Sequence, residues 1–151
     1  MREILFRGKR ADGKWIYGCL LKVTYDGNTY NLIFADNFLF IFGEATAMEH
    51  AAVAPSSIGQ FTGLTDKNGK KVFEGDILKF TDTNADYRWV GRVEFGNPNA
   101  EYNWGFQLVY IKGTKANTDI LCWFDMEETG AFAEVIGNIH DNPELLEEDN
   151  K

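Results

Sequence analysis

Glu74 and Asp76 flank Gly75, and two carboxylates at this spacing are candidate metal ligands or candidate acid–base partners. The alternative is structural: Asp76 accepts the N–H groups of its neighbours in a turn while Glu74 faces water. We favour the structural interpretation, because a working pair needs a third partner and no residue is spaced to supply one. The sequence therefore predicts no catalytic residue, no metal ligand and no cofactor.

Asp82 and Asp86 lie in a polar stretch and are spaced like the first ligands of a calcium-binding loop. The glycine and the distal glutamate that such a loop requires are missing. We therefore interpret the stretch as a polar loop between two strands.

Six further side chains are of types that act as bases or nucleophiles: His50, His140, Ser56, Ser57, Cys19 and Cys122. A catalytic histidine needs a nucleophile beside it, and neither the serines nor the cysteines stand in a nucleophile motif. We interpret His140 as a surface or capping residue. The two isolated cysteines match no metal or redox spacing, which predicts packed thiols in a reducing cytoplasm.

Aromatic and basic side chains alternate at two places, residues 87–89 with Arg92, and Arg7 with Trp15 and Tyr17. On an exposed sheet face such residues can stack bases or sugars. They can equally be cross-strand packing, in which an arginine stem lies along an aromatic edge. We favour packing, so the binding residues stay unassigned.

Turn chemistry predicts the hairpins that position these residues. Asn68-Gly69 predicts a two-residue type I′ turn, because asparagine tolerates positive φ and glycine has no Cβ to oppose it. Asp12-Gly13 has the same chemistry, and Asp26-Gly27 marks a third turn. Gly75-Asp76 interrupts the following apolar run, so we predict a bend there and a new strand over Ile77–Phe80.

Short apolar runs predict the remaining strands, which are Glu3–Arg7, Trp15–Val23, Tyr30–Phe34, Phe38–Phe42, Trp89–Phe95, Trp104–Ile111, Ile120–Phe124 and Glu134–Ile139. Tyr30–Phe34 is expected to pair with Phe38–Phe42, and Gly91 to mark a bulge.

Helix signals are few. Glu44–Ala54 fits a short helix or a loop, and Asp141 or Asn142 is expected to cap a final helical turn that starts at Pro143.

The sequence thus predicts a mainly β fold of antiparallel strands in two small subdomains. Pro55-Ser56-Ser57 marks the boundary between an N-terminal β-hairpin subdomain, residues 1–57, and a second subdomain, residues 58–151. One compact domain is the alternative.

Charge is distributed unevenly along the chain. The 151 residues carry a formal net charge of −8. Residues 1–80 hold ten Lys/Arg and nine Asp/Glu, whereas residues 81–151 hold five and fourteen. Phosphate binding depends on cations, so this balance argues against sequence-independent nucleic-acid binding.

No apolar run is long enough to span a membrane, and no signal-peptide region is recognised at the start, so we expect a cytoplasmic protein without a membrane partner.

Four segments occur in order along the chain: REILFRGKRADGKWIYG, IGQFTGLTDKNGKKVFEGDIL, VGRVEFG and EVIGNIHDNPELL. Together they resemble the YopX family of phage and prophage proteins. The resemblance implies a β-rich fold whose C-terminal part is a small SH3-like barrel, in a cytoplasmic protein of a bacterial host. It implies no activity and no catalytic or binding residue.

We therefore expect a non-catalytic accessory protein of phage or prophage origin that binds a host or phage protein. The first alternative is a nucleic-acid-binding module that uses the basic N-terminal hairpin. The second alternative is an enzyme whose site is not recognised. Because Phe38–Phe42 is apolar at every position, a homo-oligomer is a further expectation.

Overall fold

The structure, a computed structural model, describes residues 3–35, 50–84, 87–101, 104–114, 120–124 and 130–147. The strands are β1 (Phe6–Lys9), β2 (Trp15–Tyr25), β3 (Asn28–Phe34), β4 (Gly59–Thr65), β5 (Lys71–Phe73), β6 (Asp76–Asp82), β7 (Tyr87–Gly96), β8 (Gly105–Gly113) and β9 (Ala131–Asn138). A short helix, α1 (Leu121–Phe124), and two 3-10 turns, Pro55–Ser57 and Pro143–Leu146, are also described, and His50 and Ala51 are helical. The mainly β prediction is therefore confirmed.

The chain divides into two compact units, Met1–Phe61 and Thr62–Lys151. Strand β4 begins in the first unit and ends in the second. The strands form two antiparallel sheets, one in the order β3-β2-β1-β4-β5 and one in the order β8-β7-β6-β9. The predicted boundary after residue 57 stays a prediction.

In the first unit, β2 is the central partner. It pairs with β1 on one side and with β3 on the other, where Tyr25 lies opposite Asn28. The two residues between them, Asp26 and Gly27, have φ values of +50° and +77°, which is the double positive φ of a type I′ turn. Strand β3 therefore pairs with β2, while the predicted partner Phe38–Phe42 lies outside the described residues, as does most of Glu44–Ala54.

Close packing in the first unit explains Gly8. A Cβ built on Gly8 would lie 2.8 Å from the Cβ of Val53 and 2.9 Å from Cδ1 of Ile33. The Val53 and Ala54 N–H groups donate to the Asn31 and Lys9 carbonyls at 3.0 and 2.9 Å. These contacts hold the segment before β4 against the sheet.

The turn at Asn68-Gly69 differs from the prediction. The Gly69 N–H donates to the Asp66 carbonyl at 3.0 Å, and the Asp66 N–H donates to the Lys70 carbonyl at 2.8 Å. Among described residues, the non-glycine positions with positive φ are Asp26 and Ala100, so Asn68 is not left-handed and the type I′ assignment is wrong. The loop instead has three residues, with the left-handed conformation at Gly69 alone, a second common hairpin geometry.

The Asp12-Gly13 turn repeats this three-residue geometry. The Gly13 N–H donates to the Arg10 carbonyl at 3.0 Å and the Arg10 N–H donates to the Lys14 carbonyl at 2.9 Å. Gly13 has φ of +83°, close to the +78° of Gly69. An Asx residue followed by glycine thus does not by itself fix the loop length.

In the second unit, the sheet β8-β7-β6-β9 carries the core. The buried cluster comprises Val72, Leu78, Phe80, Trp89, Val93, Leu108, Ile120, Trp123 and Ala133. Phe80 lies opposite Trp89 on one neighbouring strand and opposite Ala133 on the other. The pairing of β7 with β8 shifts at Val90/Gly91, which confirms the predicted bulge. Neither sheet closes on itself in the part of the chain described, so the SH3-like barrel is not confirmed.

Two local predictions in the second unit are wrong. Ile120–Phe124 contains helix α1 rather than a strand, because a short apolar run does not define its own periodicity and the Trp123 ring packs on Phe80 and Trp89. Pro143 does open the final turn, but Asn142 makes no side-chain cap there. Its Oδ1 accepts the Asn138 N–H at 3.2 Å instead.

Candidate functional site

Asp76 and Glu74 stand in the bend between β5 and β6, where Asp76 bonds to the backbone. Asp76 is 1% exposed, and its Oδ2 accepts the Phe73 N–H at 2.8 Å across the bend at Gly75, where φ is +90°. Glu74 is half-buried in the same bend. In the described ranges, no group of three or more His, Cys, Asp or Glu side chains is placed to hold a metal ion. The geometry agrees with a carboxylate that fixes a turn.

The other acid and histidine candidates are dispersed. Asp82 Oδ1 accepts the Asn84 N–H at 3.0 Å, while Asp86 lies outside the described residues. His50 belongs to the first unit, beside a 240 Å³ cavity that Arg10 and Asp12 also line. His140 belongs to the second unit, where its backbone N–H donates to Asn138 Oδ1 at 3.0 Å.

Three of the four nucleophile candidates, Ser56, Ser57 and Cys19, have described side chains, and that of Cys122 lies outside the described part. Ser57 is buried, its Oγ donates to the Ala54 carbonyl at 2.6 Å and accepts the Lys9 N–H at 2.7 Å. This hydroxyl therefore fixes the entry to β4. Ser56 and Cys19 are exposed, and the Cys19 thiol is free, which corrects the expected packing of this thiol.

The aromatic–basic sets are mainly packing, as favoured from sequence. Trp89 is buried and stacks on Phe80, with ring centroids 4.2 Å apart and planes inclined by 20°. Arg92 donates to Glu94, with Nη2 2.9 Å from Oε2. In the first unit, the Arg7 guanidinium carbon lies 4.8 Å from the Trp15 ring centroid, and the Arg7 side chain is buried. The Trp89 and Trp15 rings are thus already in contact with other side chains, whereas Tyr17 is exposed.

A different set of aromatic residues stands at the end of the β7–β8 hairpin, where Phe95 and Trp104 are exposed and Phe106 is half-buried against the core. Phe95 on β7 lies opposite Phe106 on β8, and their ring centroids are 5.1 Å apart. Trp104 meets Phe95 edge to face, with centroids 6.3 Å apart and planes inclined by 85°. Phe95 is 52% exposed and Trp104 is 76% exposed. We name Phe95, Trp104 and Phe106 the aromatic tip.

The backbone that carries the aromatic tip is held by local hydrogen bonds. Asn97 Oδ1 accepts the Glu101 N–H at 2.9 Å, and Gly96 and Gly105 have φ of +118° and +144°. Asn99 Nδ2 donates to the Leu108 carbonyl at 3.0 Å, so a side chain occupies that acceptor of β8. These hydrogen bonds hold the described part of the turn, residues 96–101, against β8.

The sequence of the aromatic tip contains acidic but no basic residues, although Arg92 just before it pairs with Glu94. From Val93 to Ile111 the sequence contains two acidic residues, Glu94 and Glu101, and no lysine or arginine. The second unit as a whole holds seventeen Asp/Glu and nine Lys/Arg. Five of the nineteen residues in this stretch are aromatic. Aromatic side chains with a polar rim are typical of protein-binding surfaces.

The family model of the YopX protein matches residues 5–147. The chain belongs to the YopX family. The crystal structure of protein EF1440 from Enterococcus faecalis is similar, with a TM-score of 0.45, 24% sequence identity and coverage of 97% of this chain and 100% of that chain. No curated protein matches the chain. In its described part, this YopX-family chain contains no helix that is both long and apolar enough to cross a membrane.

A second concave feature of this YopX-family chain lies at the other hairpin tip of the second unit. A cavity of about 270 Å³ is lined by Asp66 and Lys67 of the turn, by Trp123 and Phe124 of α1, and by residues 130–133. Asp66 and Lys67 are already engaged with β9, since Asp66 Oδ2 accepts the Val135 N–H at 3.0 Å and the Lys67 N–H donates to the Ala133 carbonyl at 3.1 Å. These two polar residues are therefore part of the scaffold.

Sequence reasoning missed the aromatic tip because Trp104 and Phe95 were assigned to strands without a prediction of whether their side chains face the core or the solvent. The signal that could have found these residues is their position next to glycines at the hairpin end. Phe95 precedes Gly96 and Trp104 precedes Gly105, so both apolar residues stand at the end of a hairpin, beyond the buried Val93 and Leu108. Apolar side chains at such a position extend past the core.

Proposed function

We propose that this YopX-family chain is a non-catalytic accessory protein that binds a host or phage protein through the aromatic tip. Its phage or prophage origin and its place in the bacterial cytoplasm belong to the same proposal. The origin is supported by the family resemblance, and the cytoplasm by the free, exposed thiol of Cys19, which suits a reducing compartment.

The exposure of Trp104 is the observation that carries the proposal. A tryptophan that is 76% exposed, in edge contact with a second exposed aromatic ring, leaves a large apolar area in water. Tryptophan and tyrosine are the side chains that most often dominate the binding free energy of protein interfaces. The local hydrogen bonds of the turn reduce the entropy that binding would otherwise cost.

The two alternatives have weaker support. A nucleic-acid-binding module would use Arg7 and Lys9, but the buried Arg7 packs over Trp15, and the Lys9 ammonium also lies 5.9 Å from that ring. The first unit holds six Lys/Arg and six Asp/Glu, so it lacks an excess of cations. An enzyme would use residues such as Asp76 and Ser57, which are committed to backbone hydrogen bonds.

Affinity capture tests the proposal directly. The full-length tagged chain and its Phe95→Ala/Trp104→Ala variant are incubated with extracts of infected or lysogenic cells, and captured proteins are compared by mass spectrometry. Tyr25→Ala in the first unit is the matched control, since Tyr25 is also an exposed aromatic residue, at 61%.

We expect one protein to be captured by the unmodified chain and by Tyr25→Ala, and to be lost with the double variant. Circular dichroism verifies that the double variant is folded. Equal capture by all three chains would show that the aromatic tip is not the binding surface.

A further inference from the structure

We propose that the partner segment seated on the aromatic tip is positively charged and places an arginine or lysine against Trp104. This inference rests on the proposed function, because it names the chemistry of what the tip binds.

Charge complementarity is the first argument. Glu101 lies between Phe95 and Trp104, Glu94 precedes Phe95 and pairs with Arg92, and the stretch from Val93 to Ile111 has no cation of its own. The second unit has eight more acidic than basic residues. A negative surface steers positively charged partners toward it and repels acidic ones, so it selects the partner by charge.

The aromatic ring is the second argument. Tryptophan is the best aromatic partner for an arginine or lysine cation, and its large exposed fraction leaves ring surface for one. Among the described rings, Phe95 contacts Trp104, and the two planes meet at 85° rather than stacking flat.

The second unit contains an example of the same arrangement. The Lys67 ammonium lies 4.5 Å from the Phe132 ring centroid and 3.4 Å from Oε2 of Glu134. Lys67 thus combines an aromatic ring with a nearby carboxylate. The aromatic tip offers the ring and has acidic residues next to it in sequence, and in our proposal the partner supplies the cation.

The mode of docking follows from the strand edge. Asn99 Nδ2 already donates to the Leu108 carbonyl on β8, so strand addition at this position would have to displace it. We therefore expect recognition through side chains. A neutral, extended β-segment is the competing occupant, and the test below distinguishes the two.

Peptide titration provides the test. A short Gly-Ser peptide carrying several arginines is titrated against the full-length chain by isothermal calorimetry at low salt, alongside versions in which arginine is replaced by lysine, citrulline or glutamate. Citrulline keeps the shape of arginine and removes its charge. The protein variants are Trp104→Leu, which keeps an apolar side chain but removes the ring, and Glu101→Gln. Tyr25→Ala and Glu147→Gln are the matched controls.

We expect the arginine and lysine peptides to bind and the citrulline and glutamate peptides to bind at least fivefold more weakly. Trp104→Leu should weaken arginine-peptide binding by about fivefold and Glu101→Gln by about twofold, whereas the controls stay within about twofold of the unmodified chain.

Equal binding of the arginine and citrulline peptides, full affinity in Trp104→Leu, or no binding by any peptide would overturn the charge inference. None of these results removes the proposed function, because partner capture that depends on Phe95 and Trp104 is measured separately. Loss of tip-dependent capture, with cationic peptides still bound at Trp104, would instead reject the protein-binding proposal.

Discussion

The two hairpin tips of the second unit have opposite relations to the rest of that unit. The Asp66–Lys70 tip is rich in charge, yet Asp66 is buried and its carboxylate accepts the N–H groups of Asn68, Lys70 and Val135 at 2.9, 2.9 and 3.0 Å. The aromatic tip is rich in apolar surface, yet Trp104 lies largely in water. Charge is buried at one tip, and aromatic rings are exposed at the other.

The difference identifies which tip belongs to the scaffold. The Asp66–Lys70 tip covers part of the outer edge of β9, and the Asp66 carboxylate replaces the hydrogen bonds that another strand would make. The aromatic tip makes hydrogen bonds only within its own hairpin among those described, and Phe106 packs against the core while Phe95 and Trp104 stay exposed. Three substitutions test this contrast.

Asp66→Ala is expected to have the largest effect. It removes the acceptor of three backbone N–H groups, and we expect the free energy of unfolding to fall by about 3 kcal/mol, measured by urea denaturation. Asp12→Ala is the control in the matching turn of the first unit, where the exposed carboxylate accepts the single N–H of Lys14 at 3.1 Å. In Asp12→Ala the free energy of unfolding should fall by about 0.5 kcal/mol. Equal losses would contradict a scaffold role for Asp66.

Gly69→Ala is expected to have an intermediate effect. A Cβ at Gly69 meets no atom within 4 Å, so the penalty comes from the φ of +78° alone. We expect a loss of about 1.5 kcal/mol, and about half of that for Gly69→Asn, because asparagine tolerates the left-handed conformation. Thermal unfolding of both variants measures the difference. If Gly69→Asn lost as much stability as Gly69→Ala, strain of the left-handed backbone would not be the cause of the loss.

Trp104→Ala is expected to have the smallest effect on stability. It removes one edge-to-face contact with Phe95, and we expect a loss of about 0.5 kcal/mol. The same substitution at the buried Trp123 should cost about 4 kcal/mol. Denaturation of the two variants under one set of conditions provides the comparison. A loss at Trp104 similar to that at Trp123 would mean that the aromatic tip supports the fold.

Individual residues show why part of the fold was predictable. Asp26-Gly27 and Gly75-Asp76 have local conformational needs, and both turns stand where the sequence places them. Gly91 was expected to mark a bulge because glycine inside a strand weakens regular pairing, and the register shifts there. The strand predicted at Ile120–Phe124 was wrong, because a run of five apolar residues is compatible with a strand or a helix until its packing partner is known.

The candidate site was less predictable than the fold. From sequence, Asp66 is one of many acidic residues and Trp104 is one of four tryptophans. Burial of the first depends on a contact with Val135, which is 69 positions away along the chain. Exposure of the second depends on where the sheet ends. Burial of Asp66 and exposure of Trp104 both depend on contacts between distant segments, which cannot be predicted from local secondary-structure propensity.

The sequence alone determined the family, the mainly β class and the positions of most turns, because these follow from motif order, apolar alternation and the φ requirements of glycine and Asx residues. Tertiary structure alone decided that Asp66 is a scaffold carboxylate and that Phe95 and Trp104 face water. The physical reason is that burial and hydrogen bonding are set by which distant strands meet, and pairing of this kind is not encoded in any single segment.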